Sequence, residues 1–336
     1  MFSLMKKKII ETLRIAYKYS GIKSIFVVLG LHRFFTLIPE DYKQRGVQFF
    51  NEADLENKKI ILTKNLDQES LRVINLTIER YLYVATHDFY PNISKQEILE
   101  QKRIDKIWES INKKDPYYRH INVFLHCYHR GLKTLDDATL NKVRDYLKNK
   151  DVIDAGAYTG DSALMFKNEY KVNRVFAFEP EDSNYREMEN NIRINKWEGI
   201  IPIKKGLGDK DNERLRITAS GMGSTTALTE LLAGEKSEQV IELTTIDHFV
   251  NREKINVGLI KMDIEGSEPK AIEGAINTIK EMRPILLIAI YHGAKDFFEI
   301  KPYLEQQNIN YQFFIRKTGG HPVAGVLLVG LPKELL

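Results

Sequence analysis

At 336 residues, with a hydrophobic share of 43% and a charged share of 29%, the chain has the make-up of a globular protein of one large or two ordinary domains. Its formal charge of +4 is small for that length and comes without a nucleic-acid-reading motif, which argues against nucleic acid as a partner. The single cysteine, Cys127, excludes an intramolecular disulfide framework and a Cys-based zinc site, and fits a reducing, cytoplasmic setting.

The chain opens with basic residues (Lys6, Lys7, Lys8, Arg14, Lys18), but no long apolar run with a small-residue cleavage site follows. Ile25 to Leu31 is too short to span a bilayer and is ended by His32 and Arg33, so stable membrane insertion is not expected. Glu69 to Thr86 and Lys95 to Ile111 carry helical spacing. Leu135 to Leu147 reads as a further helix, with Thr134 or Asp136 as its N-cap. Residues 1–149 therefore read as a mainly helical domain without a chemical motif. Capping an acceptor site, dimerisation and partner docking are its candidate roles, and a homo-oligomer stays open.

Residues 150–336 change to short β-rich runs alternating with helical stretches, the pattern of a doubly wound, mostly parallel α/β sheet. Expected strands are 151–154, 174–178, 200–204, 257–262 and 284–290, with helices at 162–169, 184–195, 269–282 and 296–307 between or after them. Strands at 215–218 and 240–244 flank a Gly/Ser/Thr-rich loop, Ser220 to Thr226, a candidate flap or a plain hairpin loop. Strands at 311–315 and 323–329, joined through Gly319-Gly320, predict a terminal antiparallel strand.

Three strand ends carry the chemistry. The first is Val152-Ile-Asp154-Ala-Gly156-Ala157-Tyr158-Thr-Gly160-Asp161, a strand, a glycine turn and a helix start. Glycines there let a ligand approach the backbone. The spacing is not the Gly-x-Gly-x-x-Gly of a dinucleotide site, and Asp154 would repel a phosphate, which argues against an NAD-dependent oxidoreductase. The same acid suits a ligand bearing an ammonium and a sulfonium. The second is Phe178-Glu179-Pro180, where a carboxylate at a strand end is able to accept hydrogen bonds from both ribose hydroxyls.

The third is Lys261-Met-Asp263-Ile-Glu265-Gly266-Ser-Glu268. Asp263 and Glu265 are candidates for a general base, and His292, after the fifth core strand, is another. A divalent metal shared by the two acids is an alternative that two acids and a sequence-distant histidine do not define. Glu268 reads as a solvated acid near a helix N-terminus, and His321, beside the glycine pair, as a turn histidine.

These strings, with Gly206-Leu-Gly208-Asp209 and Ala271-Ile-Glu273-Gly274-Ala275, occur in the order that resembles the FkbM family of methyltransferases. The resemblance spans about residues 150–300 and implies a class I methyltransferase, Rossmann-like fold with S-adenosyl-L-methionine as donor. By that resemblance Asp154, Gly156, Ala157, Tyr158, Gly160, Asp161, Glu179 and Pro180 hold the donor, with Gly208 and Asp209 near its adenine. It also implies an O-methyltransferase acting on a sugar hydroxyl of a polysaccharide, glycolipid or glycosylated metabolite. Tyr158 departs from the Asn common in the family. A non-catalytic binding module that keeps the fold is the rival reading.

Overall fold

The computed structural model describes residues 38–88, 90, 131–219, 237–318 and 321–336. The helix expected at 95–111, the loop at 220–226, the Gly319-Gly320 turn, Cys127 and the basic start lie outside the described residues.

Three helices come first: α1 (Glu40–Phe50), α2 (Leu55–Thr63) and α3 (Gln68–Val84). A fourth, α4 (Asp137–Leu147), precedes the sheet. Asp136, not Thr134, is its N-cap, the Thr139 N–H donating to its carboxylate at 2.8 Å. The main sheet is built from β1 (Asp151–Ala155), β2 (Val175–Phe178), β3 (Ile200–Ile203), β7 (Val257–Met262), β8 (Ile285–Ala289), β9 (Tyr311–Lys317) and β10 (Val326–Pro332). Their order is β3-β2-β1-β7-β8-β10-β9, parallel except for β10, which runs antiparallel to both neighbours. This is the class I methyltransferase architecture expected from the sequence. A small second sheet joins β4 (Gly206–Leu207), β6 (Ser237–Thr244) and β5 (Arg214–Ala219), the last two antiparallel.

The connecting helices are α5 (Asp161–Tyr170), α6 (Asp182–Asn195), α7 (Ile246–Glu253), α8 (Glu268–Glu273), α9 (Ile276–Met282) and α10 (Ala294–Gln306). The single helix expected over 269–282 is two, broken at Gly274. A side chain there would place Cβ 2.1 Å from the Gly208 carbonyl oxygen, so the chain turns where the two loops touch. The last strand also starts at Val326 rather than Val323. Residues 323–324 are held in a turn, their N–H groups donating to Nδ1 of His321 at 3.3 and 3.0 Å.

Strands buried on both faces explain the near-continuous apolar runs. Successive β1 residues face opposite ways: Ile153 packs into a core with Ile260, Leu286 and Ile288, and Val152 into another with Leu259 and Leu287. Phe49, Val73, Ile74 and Tyr81 of α1 and α3 complete the first core; Leu140, Val143 and Leu147 of α4 complete the second. The N-terminal helices thus cover the sheet. Arg316 of β9 forms a bidentate pair with Asp67, the N-cap of α3, at 2.6 and 3.0 Å.

Candidate active site

The carboxyl ends of β1, β2, β7 and β8 meet at one edge of the sheet, where open α/β folds bind ligands. Parallel register sets Asp154 of β1 beside Lys261 of β7. Both are buried, and the ammonium lies 3.0 Å from the carboxylate. Lys261 also donates to the carbonyls of Ala155 and Gly156 at 3.1 and 2.6 Å, and the Ser162 hydroxyl donates to Asp154 at 2.6 Å. The acid before the glycine turn therefore fixes the turn, its charge balanced from the next strand.

Gly156 has φ +76°, and a Cβ there would fall 1.9 Å from the Asp263 carbonyl oxygen. The β1 and β7 loops are in direct contact. The Gly156 and Ala157 N–H groups donate to the Phe178 carbonyl at 3.0 and 2.9 Å, tying the turn to β2. Tyr158 has φ +50°, a left-handed conformation in which Asn is cheaper than Tyr. The departure at this position therefore keeps the turn at a backbone cost. Gly160, φ +88°, is the N-cap of α5, whose first residue, Asp161, is buried. Burial pushes the Asp161 carboxyl up to about 7, against the Ser162 N–H that donates to it.

Glu179, at the end of β2, is buried and receives the Tyr158 and Glu181 N–H groups, one on each oxygen, at 3.0 Å. Burial raises its carboxyl to about 7, with the two N–H donors opposing. The Pro180 carbonyl is held by Gln239 of β6 at 2.8 Å. Gly208 follows β4, and Asp209 next to it has a buried Oδ1 with no hydrogen-bond partner among the described residues.

The sequence-distant His292 lies in the same cluster as the two acids. Its Nε2 is 3.1 Å from Asp263 and 3.7 Å from Glu265, and its Nδ1 is 3.0 Å from Glu268. Burial alone would lower the imidazole pKa, but the charges of Glu268 and Asp263 override it and hold it well above its usual range. The Tyr291 hydroxyl donates to both Asp263 oxygens at 3.1 and 3.2 Å.

Glu268 is not a solvated acid. It is fully buried and accepts from the Ile264 and Gly266 N–H groups at 2.8 Å each. Those bonds bend the chain after β7, with Glu265 at φ +56°, so Asp263 and Glu265 converge without a continuing strand. His321 is a turn histidine, as expected, kept neutral by burial and nearby cations at about 3.

The N-terminal helices reach this cluster. Arg45 of α1 lies 3.6 Å from Glu265, Gln48 accepts from the Ala294 N–H at 3.4 Å, and the Tyr81 hydroxyl donates to the Tyr291 carbonyl. Nothing in the sequence marks Arg45 or Gln48, because their partners lie more than two hundred residues away. In sequence, Glu268 lies three residues after Glu265 and reads as solvated, and Asp296, buried with a carboxyl pushed up to about 7, lies four residues past His292.

Residues 154–313 match the methyltransferase FkbM domain family. This region is an FkbM methyltransferase domain. It is similar to Methyltransferase 1 of Beauveria bassiana (strain ARSEF 2860), 22% identical over 177 residues that cover 46% of this chain and 70% of that protein. The fold is similar to the crystal structure of the methyltransferase FkbM from Methylobacillus flagellatus KT, with a TM-score of 0.54 and 18% identity. That likeness covers 82% of this chain, which spans 58% of the length of that structure. The FkbM domain holds the glycine turn, Glu179 and the acid–histidine cluster within its bounds. Arg45 and Gln48 lie before it.

Proposed function

We propose that the chain is an S-adenosyl-L-methionine-dependent O-methyltransferase acting on a sugar hydroxyl of a polysaccharide, glycolipid or glycosylated metabolite. The observation that carries this reading is the contact between Gly156 and the Asp263 carbonyl, which sets the donor turn directly against the acid–histidine cluster.

The donor fits the residues present. The Glu179 oxygens accept the Tyr158 and Glu181 N–H groups, and Asn184 also reaches the carboxylate, but a carboxylate offers about four lone-pair sites and so keeps acceptor capacity for a ribose hydroxyl. The unpartnered Asp209 Oδ1 is an acceptor suited to an exocyclic amine, as on adenine. Gly156, Ala157, Tyr158, Gly160, Asp161 and Pro180 shape the turn around those groups, and Asp154 fixes the turn from beneath. When bound, the donor supplies a methyl group activated by its sulfonium.

Asp263 is assigned to take the hydroxyl proton. Its carboxylate is partly exposed, at 26%, and is held in place by the Tyr291 hydroxyl and His292. Glu265 orients the acceptor from the solvent side, and Arg45 and Gln48 support the helical region as a cap over it. The main work left to the protein is alignment. Among the described residues no helix is long and apolar enough to cross a membrane.

A panel of glycans and glycosides incubated with methyl-labelled donor tests the reading. Transfer to a hydroxyl, reduced about 10²–10⁴-fold in Asp263→Asn with donor affinity kept, is expected. Undiminished transfer in Asp263→Asn, or transfer to amines alone, would sink it.

A further inference from the structure

We infer that Asp263, Glu265 and Nε2 of His292 form a binding site for a divalent cation of the Mn²⁺ class. One carboxylate oxygen from each acid and the ring nitrogen lie within 4.8 Å of one another. Ligand atoms about 2.1 Å from one ion are separated by about 3.0 Å at the edge of an octahedron and about 3.4 Å in a tetrahedron. The observed edges from Nε2 are 3.1 Å, just above the octahedral value, and 3.7 Å, somewhat above the tetrahedral one.

A second observation is independent of the acids. His292 is 7% exposed, yet neither ring nitrogen meets hydrogen-bond geometry with a partner among the described residues. A buried Nε2 with the Asp263 oxygen at 3.1 Å and no N–H aimed at it is placed as a ligand nitrogen is placed. The carboxylate behind it completes the pattern. Glu268 faces Nδ1, and metal-bound histidines commonly turn their second nitrogen to a carboxylate, which frees the first for the ion.

Charge points the same way. Asp263, Glu265, Glu268 and Asp296 surround one histidine, and Arg45 lies 3.6 Å from Glu265. The Nδ1 side, with Glu268 and Asp296, is closed to solvent, and Glu268 is already engaged by two backbone N–H groups, so the ion belongs on the Nε2 side, where Glu265 is 52% exposed. Two carboxylates and one imidazole suit Mn²⁺ better than a soft metal, and leave positions open for water or a hydroxyl. An ion there would lower the pKa of a coordinated acceptor hydroxyl. That consequence rests on the methyl-transfer reading; the site itself does not.

The test is a Mn²⁺ titration of the tag-free full chain, followed by electron paramagnetic resonance with no adenosyl ligand present, so its result is separate from donor binding. One ion per chain is expected, with nitrogen modulation from one imidazole. Glu265→Gln, a half-exposed change that leaves circular dichroism unaltered, should weaken binding at least tenfold, and His292→Gln should remove the nitrogen signal. No stoichiometric binding by folded wild-type protein, binding without nitrogen modulation, or binding indifferent to Glu265→Gln would each overturn the site.

Discussion

Glu179 shows how burial tunes a carboxyl at a strand end. Its folded carboxyl, near 7, stands above the ordinary value of about 4.3. Between those values the unfolded chain has released a proton that the folded protein retains. Stability contributed by this group is therefore full at acid pH and is lost as pH rises through about 7, by about 3–4 kcal/mol in all. Glu179→Gln cannot ionise, so its urea midpoint should fall less steeply than wild type between pH 4.5 and 7.5. Equal slopes would remove the raised carboxyl from the account. The Asp154–Lys261 pair behaves differently. Lys261→Met leaves a buried carboxylate without its counter-charge and should cost about 3–5 kcal/mol. A loss under 1 kcal/mol by chemical denaturation would contradict that.

Elements were legible where one physical cause dominated. The doubly buried strands β1, β2, β7 and β8 announce themselves as short apolar runs, and β10 as the antiparallel return, because each satisfies its pattern locally. The break between α8 and α9 did not, since Gly274 is required by the Gly208 carbonyl of a distant loop. The site divides the same way. Asp154, Gly156, Glu179 and Asp263 sit at strand ends that local pattern predicts. Glu268 looked solvated because its partners, His292 and two turn N–H groups, depend on the bend after β7. The N-cap of α3 offers a test at this scale. Asp67 caps Ser70 and pairs with Arg316, so its carboxyl is held down at about 2 despite some burial. Asp67→Ala should cost about 1–3 kcal/mol and loosen α3 from β9, seen as faster amide exchange in both. Exchange unchanged in β9 would show that the pair does not fasten the helix.

At the scale of the molecule, the sequence divides near residue 150, and helices from before that point pack into a core with strands from after it. Phe49 stacks on Tyr81 at 4.2 Å and also meets Phe297 and Phe298 in the core that β1, β7 and β8 share. We expect residues 150–336 alone to expose that core and to unfold without a sharp transition, binding a hydrophobic dye. A sharp, full-amplitude transition would show an independent domain. The central claim, that the glycine turn and Glu179 hold an adenosyl donor, is tested most directly by isothermal titration with S-adenosylhomocysteine, using NAD as control. One site per chain, weakened at least tenfold in Glu179→Ala and absent for NAD, is the predicted result. Well-folded wild-type protein that binds no adenosyl ligand, or binds NAD in its place, would contradict the account.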